Sequence, residues 1–114
     1  MNPQQIMDAI LKTQKDLSDL NTNYRNFGIQ RANAERKYKI ELRKKLLELR
    51  IAKTPSNIIQ DVAKGDENIS KLRLDRDLAE NNYSSCKEAM NNKRLELESL
   101  RSFLTWMRAE LGNS

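Results

Sequence analysis

The stretch Ile69–Leu111 reads ISKLRLDRDLAENNYSSCKEAMNNKRLELESLRSFLTWMRAEL, and its spacing decides the fold. Alternating steps of three and four select Ile69, Leu72, Arg76, Ala79, Tyr83, Cys86, Met90, Lys93, Leu97, Leu100, Leu104, Met107 and Leu111. Eleven of these thirteen are apolar. A strand needs period two, and nothing here alternates in that way. A repeat of 3.5 residues sustained for about six heptads is the seam of a coiled coil.

The same spacing recurs upstream. From Ile6 it selects Ile10, Thr13, Leu17, Leu20, Tyr24, Phe27, Arg31, Ala34 and Tyr38. It continues as Leu42, Leu46 and Leu49 after an extra four-residue step, a stutter that locally unwinds a left-handed supercoil. Helices are therefore predicted over 4–53 and 66–111. At 1.5 Å per residue they would span about 75 Å and about 68 Å. Similar lengths and one short connection predict an all-α fold, a long antiparallel helical hairpin forming a single domain over 1–114. The stretch from Asn21 to Gly28 is poor in helix formers and is where the first helix would break, if it breaks.

The connection at 54–65 reads as a short helix or turn. Thr54 suits a cap, with Pro55 at the first helical position. Ile58, Ile59 and Val62 fall on one side of this turn, positioned to cover part of the stripe near Leu47. Gly65 suits a left-handed helix end. Asp66 suits the cap of the next helix, and Glu67 its positive end.

Each long helix carries apolar residues on a second side. Ile40, Leu47 and Ile51 lie roughly opposite the seam of the first; Leu74, Leu78, Leu95, Phe103 and Trp106 lie away from that of the second. A lone hairpin covers only one side of each helix. The expectation is a homodimer, a four-helix bundle, with Phe103, Trp106, Leu47, Ile51, Leu74 and Leu78 as candidate contacts between copies or with another partner. Arg31, Arg76 and Lys93 stand at seam positions. They are expected to pair with acids such as Glu41 or to extend their stems to the rim.

Composition narrows the function. The chain has 114 residues, 38% apolar and 32% charged, with no His and one Cys. One cysteine forms no internal disulfide, and without histidine there is no zinc, haem or copper set. No glycine-rich phosphate loop occurs, and histidine, the usual acid–base partner for Cys86, is missing. Cys86 itself falls on the seam, where a thiol is a small core residue. No enzyme, cofactor, metal or small-molecule substrate is indicated. The first residues lack a basic cluster followed by an apolar run, and no stretch is apolar enough to span a bilayer. A soluble intracellular chain without membrane contact is expected, with the free thiol suited to a reducing cytoplasm.

Charge is unevenly placed. Residues 25–53 hold ten basic side chains and three acidic ones, a net of +7 in a chain of net +5, so the remainder is acidic. Arg25, Arg36, Arg43 and Arg50 project within about 20° of one line along the helix. Such a stripe is a footprint for DNA phosphates. No recognition-helix or zinc-finger signature accompanies it, so binding would be backbone-directed and salt-sensitive. The alternative is a solvated face with internal pairs such as Glu35–Lys39 and Glu41–Lys45.

Tyr38, Leu42, Lys45-Leu46 and Leu49-Arg50, followed by Ala63-Lys64-Gly65-Asp66, Lys71 through Glu80, Tyr83, and Leu104-Thr105-Trp106-Met107-Arg108, carry a resemblance. Together they resemble small helical coiled-coil proteins of tailed phages and prophages of Gram-positive bacteria, encoded among early replication or recombination genes. The resemblance covers about residues 35–108. It implies an accessory protein in the host cytoplasm, working with DNA or a DNA-handling protein. The other reading is a protein–protein module, such as an inhibitor of a host enzyme or a structural spacer.

Overall fold

A computed structural model describes residues 1–113. Three helices account for it: α1 (Pro3–Ile51), α2 (Ile59–Gly65) and α3 (Glu67–Asn113), with no strand among the described residues. The start of α1 is held by a reciprocal cap. The Gln5 N–H donates to Asn2 Oδ1 at 2.8 Å, and the Asn2 N–H donates to Gln5 Oε1 at 3.0 Å. Two otherwise unpaired donors are thereby satisfied, and Pro3 fills the first helical position, where a missing N–H is harmless.

The contacts divide the chain into two compact units, Met1–Arg25 with the residues from Ser84 onward, and Asn26–Tyr83. In the first unit Ile6 and Ile10 pack with Leu97 and Leu104, and Leu100 and Met107 lie against them. Thr13 and Met90 are buried in the same unit, and the buried Cys86 thiol donates to the Leu20 carbonyl at 3.4 Å. In the second unit Tyr38 packs with Ile69, Leu72 and Leu42, while Ile59 and Ala63 of α2 are also buried. The beginning of α1 thus meets the end of α3, and its later part meets the beginning of α3. The fold is a helical hairpin, as the two seams predict. Each fully buried aliphatic side chain contributes about 1.5–3 kcal/mol relative to exposure.

The seam cations do more than reach the rim. The Arg31 guanidinium lies 4.7 Å from the centre of the Tyr83 ring and pairs with Glu80. Arg76 lies 4.5 Å from the centre of the Tyr38 ring and bonds Asp77 at 3.0 Å. Lys93 Nζ lies 3.4 Å from Asp16 and 3.1 Å from Glu96; the Glu96 bond chiefly, with Asp16, raises its pKa. A planar guanidinium on an aromatic face keeps its charge at the edge of the core while its carbons complete the packing. Glu41, the expected partner, pairs with Lys44 instead.

Helix α1 continues through Gly28 without a break. The glycine keeps a helical φ and faces Tyr83, whose Cε2 would lie 3.5 Å from an added Cβ, an ordinary contact. Gly28→Ala is therefore expected to raise stability by about 0.5–1 kcal/mol, because glycine loses more backbone freedom on helix formation. Equilibrium urea unfolding of the two chains measures this; a destabilised variant would show that the Tyr83 ring cannot accept the methyl.

The connection differs from its sequence reading in three respects. First, the left-handed residue is Lys53, with φ 64°, not Gly65. The Lys53 N–H donates to the Arg50 carbonyl and the Thr54 N–H to the Leu49 carbonyl, each at 3.0 Å, the paired bonds of a Schellman end. Gly65 needs no such conformation because Asp66 leaves α2 in an extended conformation, φ −61° and ψ 136°, and enters α3 directly. Second, α2 begins at Ile59, and its cap residue Ile58 makes no side-chain cap bond. The Pro55 carbonyl instead accepts from Ile58 and Ile59, forming a turn ahead of the helix. Third, Ile58 and Val62 are exposed and only Ile59 turns inward, so Leu47 stays 58% exposed. At the far end of the α3 seam, Leu111 is also exposed.

Asp66 caps α3 as its sequence position predicts. Its Oδ2 accepts the Asn68 N–H at 3.0 Å and the Ile69 N–H at 3.2 Å, and Lys45 Nζ lies 3.5 Å from Oδ1. The Ile69 N–H above all, with Lys45, holds its pKa below the ordinary 3.8. A depressed carboxylate pKa stabilises the fold above the unfolded value, and that contribution is lost as pH falls through the folded one. The melting temperature of Asp66→Ala is thus expected to lie below that of the parent near pH 6. The gap should begin to narrow as pH falls below about 4, and narrow further as the parent's cap carboxylate itself becomes protonated. Thermal melts by circular dichroism across that range test the sign.

Candidate nucleic-acid interface

The α1 face opposite the seam is built by the heptad itself. With Tyr38, Leu42, Leu46 and Leu49 turned inward, 3.6-residue geometry turns positions 29, 36, 40, 43, 47 and 50 outward. Arg36, Arg43 and Arg50 are exposed there, seven residues and about 10.5 Å apart. No carboxylate among the described residues lies within ion-pair distance of them. Three neighbouring lysines are engaged: Lys39 with Glu35 at 3.4 Å, Lys44 with Glu41 at 3.4 Å, and Lys45 with Glu48 at 3.7 Å and Asp66; Lys37, beside Arg36, is exposed and has no such pair among the described residues. The expected Glu41–Lys45 pair does not form. Glu41 is taken by Lys44, leaving Lys45 to reach past it to Asp66.

Arg36 and Arg43 border one shallow, open trough together with Ala32, Ile40 and Leu47. Arg43 and Arg50 border a second with Leu46 and Leu47. The three arginines are thereby brought together on one face of the second unit. Arg25 is exposed as well but belongs to the first unit. Ile29, Ile40 and Leu47 are exposed on an arc about 45° round α1 from the arginines, so aliphatic and guanidinium groups share one stripe. Projecting all six residues on one helical wheel reveals this mixture; considering charge and hydropathy separately hides it.

The remaining candidates lie elsewhere. Ile51 is exposed at the end of α1, and Leu74 and Leu78 are exposed on α3 in the second unit. Phe103 and Trp106 are on α3 in the first unit, with ring centroids 5.9 Å apart and planes 8° from parallel. No group of three or more metal-ligating side chains occurs among the described residues, and none of their helices is long and apolar enough to cross a membrane.

No known protein family matches the chain, and no curated protein or solved structure is significantly similar to it.

Proposed function

We propose that this chain is a non-enzymatic accessory protein of DNA metabolism, of the kind it resembles among tailed phages and prophages, acting in the cytoplasm. It binds nucleic acid through the outer face of α1. The observation that carries the reading is the row Arg36, Arg43 and Arg50: exposed, regularly spaced and without carboxylate partners. Unpaired guanidiniums retain their full capacity for bidentate bonds to phosphate oxygens. Nothing on the face distinguishes one base from another, so the contact is to the backbone and independent of sequence. The test is fluorescence anisotropy with random-sequence duplex and single-stranded DNA at low salt. Binding that disappears when Arg36, Arg43 and Arg50 are all changed to Glu supports the reading, and absence of binding at low salt removes it.

One observation favours a second reading. A phosphate backbone leaves Ile40 and Leu47 uncovered, whereas an amphipathic acidic helix covers them and pairs with the arginines beside them. On that reading the chain is a protein–protein module, such as an inhibitor of a host enzyme.

A further inference from the structure

A second stripe runs along α3 in the first unit, on the side away from the buried Leu97 and Leu104. Steps of three and four trace it as Asn92, Leu95, Ser99, Ser102 and Trp106. None of the five is charged, in a chain where 32% of residues are. Leu95 is 62% exposed and Trp106 58%, and the Phe103 ring stacked on the indole fixes its orientation. The charges bordering the stripe are the carboxylates of Glu88, Glu96, Glu98 and Glu110. A polyanion is repelled there, so the aromatic pair is not a platform for stacked bases.

The stripe has the spacing of a self-complementary surface. Leu95 and Trp106 are equidistant from the midpoint between Leu100 and Arg101, and so are Ser99 and Ser102. We infer that a second copy of the chain docks on this face, α3 against α3 and antiparallel, about a two-fold axis at that midpoint. Leu95 of each copy lies under Trp106 of the other, twice, because the contact is isologous. Ser99 of each faces Ser102 of the other, and these small side chains let the helices approach closely. Charge selects the direction. Antiparallel pairing sets Glu98 beside Ser102 and Glu110 beside Asn92 of the other copy. Parallel pairing would set Glu96 of each copy against Glu98 of the other, twice, which like charges oppose. The two sets of Leu95, Phe103 and Trp106 with their neighbours offer roughly 1,000 Å² of contact, the size of a weak, reversible interface. Interfaces of that size are weak, and a dissociation constant of about micromolar is expected. None of these residues belongs to the basic stripe of α1, so the dimer stands whether or not that stripe binds DNA.

Trp106 is the only tryptophan, so its emission reports on this interface alone. The full chain is diluted from about 200 µM to about 0.2 µM, a range that brackets the expected constant, with emission and sedimentation equilibrium measured in parallel. The expected result is twice the chain mass and blue-shifted emission at the concentrated end, both lost together on dilution. Two double variants test the register, with helicity checked by circular dichroism. Ser99→Glu with Ser102→Glu sets carboxylates against each other across the axis twice, and should weaken the dimer about tenfold or more. Ser99→Glu with Ser102→Lys sets opposite charges together, and should hold it near the parent value. A single-chain mass with unshifted emission at the highest concentration overturns the proposal. So does a dimer equally stable in both double variants, which would place the contact on another face.

Discussion

Ile69→Ala is expected to cost about 2–4 kcal/mol of folding stability, whereas Leu74→Ala, five residues further along the same helix, should change it by about 0.5 kcal/mol or less. The two substitutions are chemically alike and differ in the face they strip. Ile69 is 2% exposed and packs with Tyr38, Leu72 and Leu42; Leu74 is 57% exposed. Removing the Ile69 side chain loses its transfer free energy and leaves a void that a packed hairpin cannot wholly collapse. Small domains have about 5–15 kcal/mol in all, so the loss is a large share of the total. The Asp66 cap is untouched, because it uses the Ile69 backbone N–H and not its side chain. Urea titrations should therefore show a lower midpoint with an unchanged slope. If both variants cost the same, residue 69 is not in a core, and the hairpin register is wrong.

The seam was readable because a heptad is a redundant signal. In α3, twelve of thirteen seam positions are buried or half-buried, and every seam position from Ile6 to Leu49 in α1 is so as well. One polar residue such as Lys93 does not erase a pattern carried by the rest. The connection was less readable because its conformation is a local competition with few participants. Lys53 takes the left-handed position although glycine was available at 65. A chain leaving α1 must reverse at once, and the two Schellman bonds satisfy carbonyls that would otherwise lack partners. Asp66, by contrast, was legible in advance, since a carboxylate just before a helix has one dominant use. In the candidate site, the arginine row followed from seven-residue spacing alone. Which cations stay free did not, because it depends on side-chain reach: Lys44 claims Glu41, and Lys45 turns to Glu48 and Asp66. The same holds for Arg31 and Arg76, whose aromatic partners Tyr83 and Tyr38 sit on the opposite helix.

Duplex DNA affinity is expected to fall about fortyfold as salt rises from 50 to 200 mM, and to do so for every sequence alike. Each phosphate neutralised releases condensed counterions, giving a slope of log affinity on log salt near −0.9 per contact. Three contacts, from Arg36, Arg43 and Arg50, give a slope of about −2.7, and a fourfold rise in salt then yields the stated factor. Changing one of the three to Ala should lower the slope by about one without altering sequence preference. Changing all three should leave a slope near zero. Ile40→Ser with Leu47→Ser separates this contact from a protein one. Neither aliphatic side chain meets a phosphate, so DNA affinity and slope should be unchanged by that pair. An acidic helix lying across the face would lose the apolar part of its footprint, and its affinity would fall while the salt slope stayed similar. A slope that is flat in the parent chain, or one that survives loss of all three arginines, would move any DNA contact away from this face of α1.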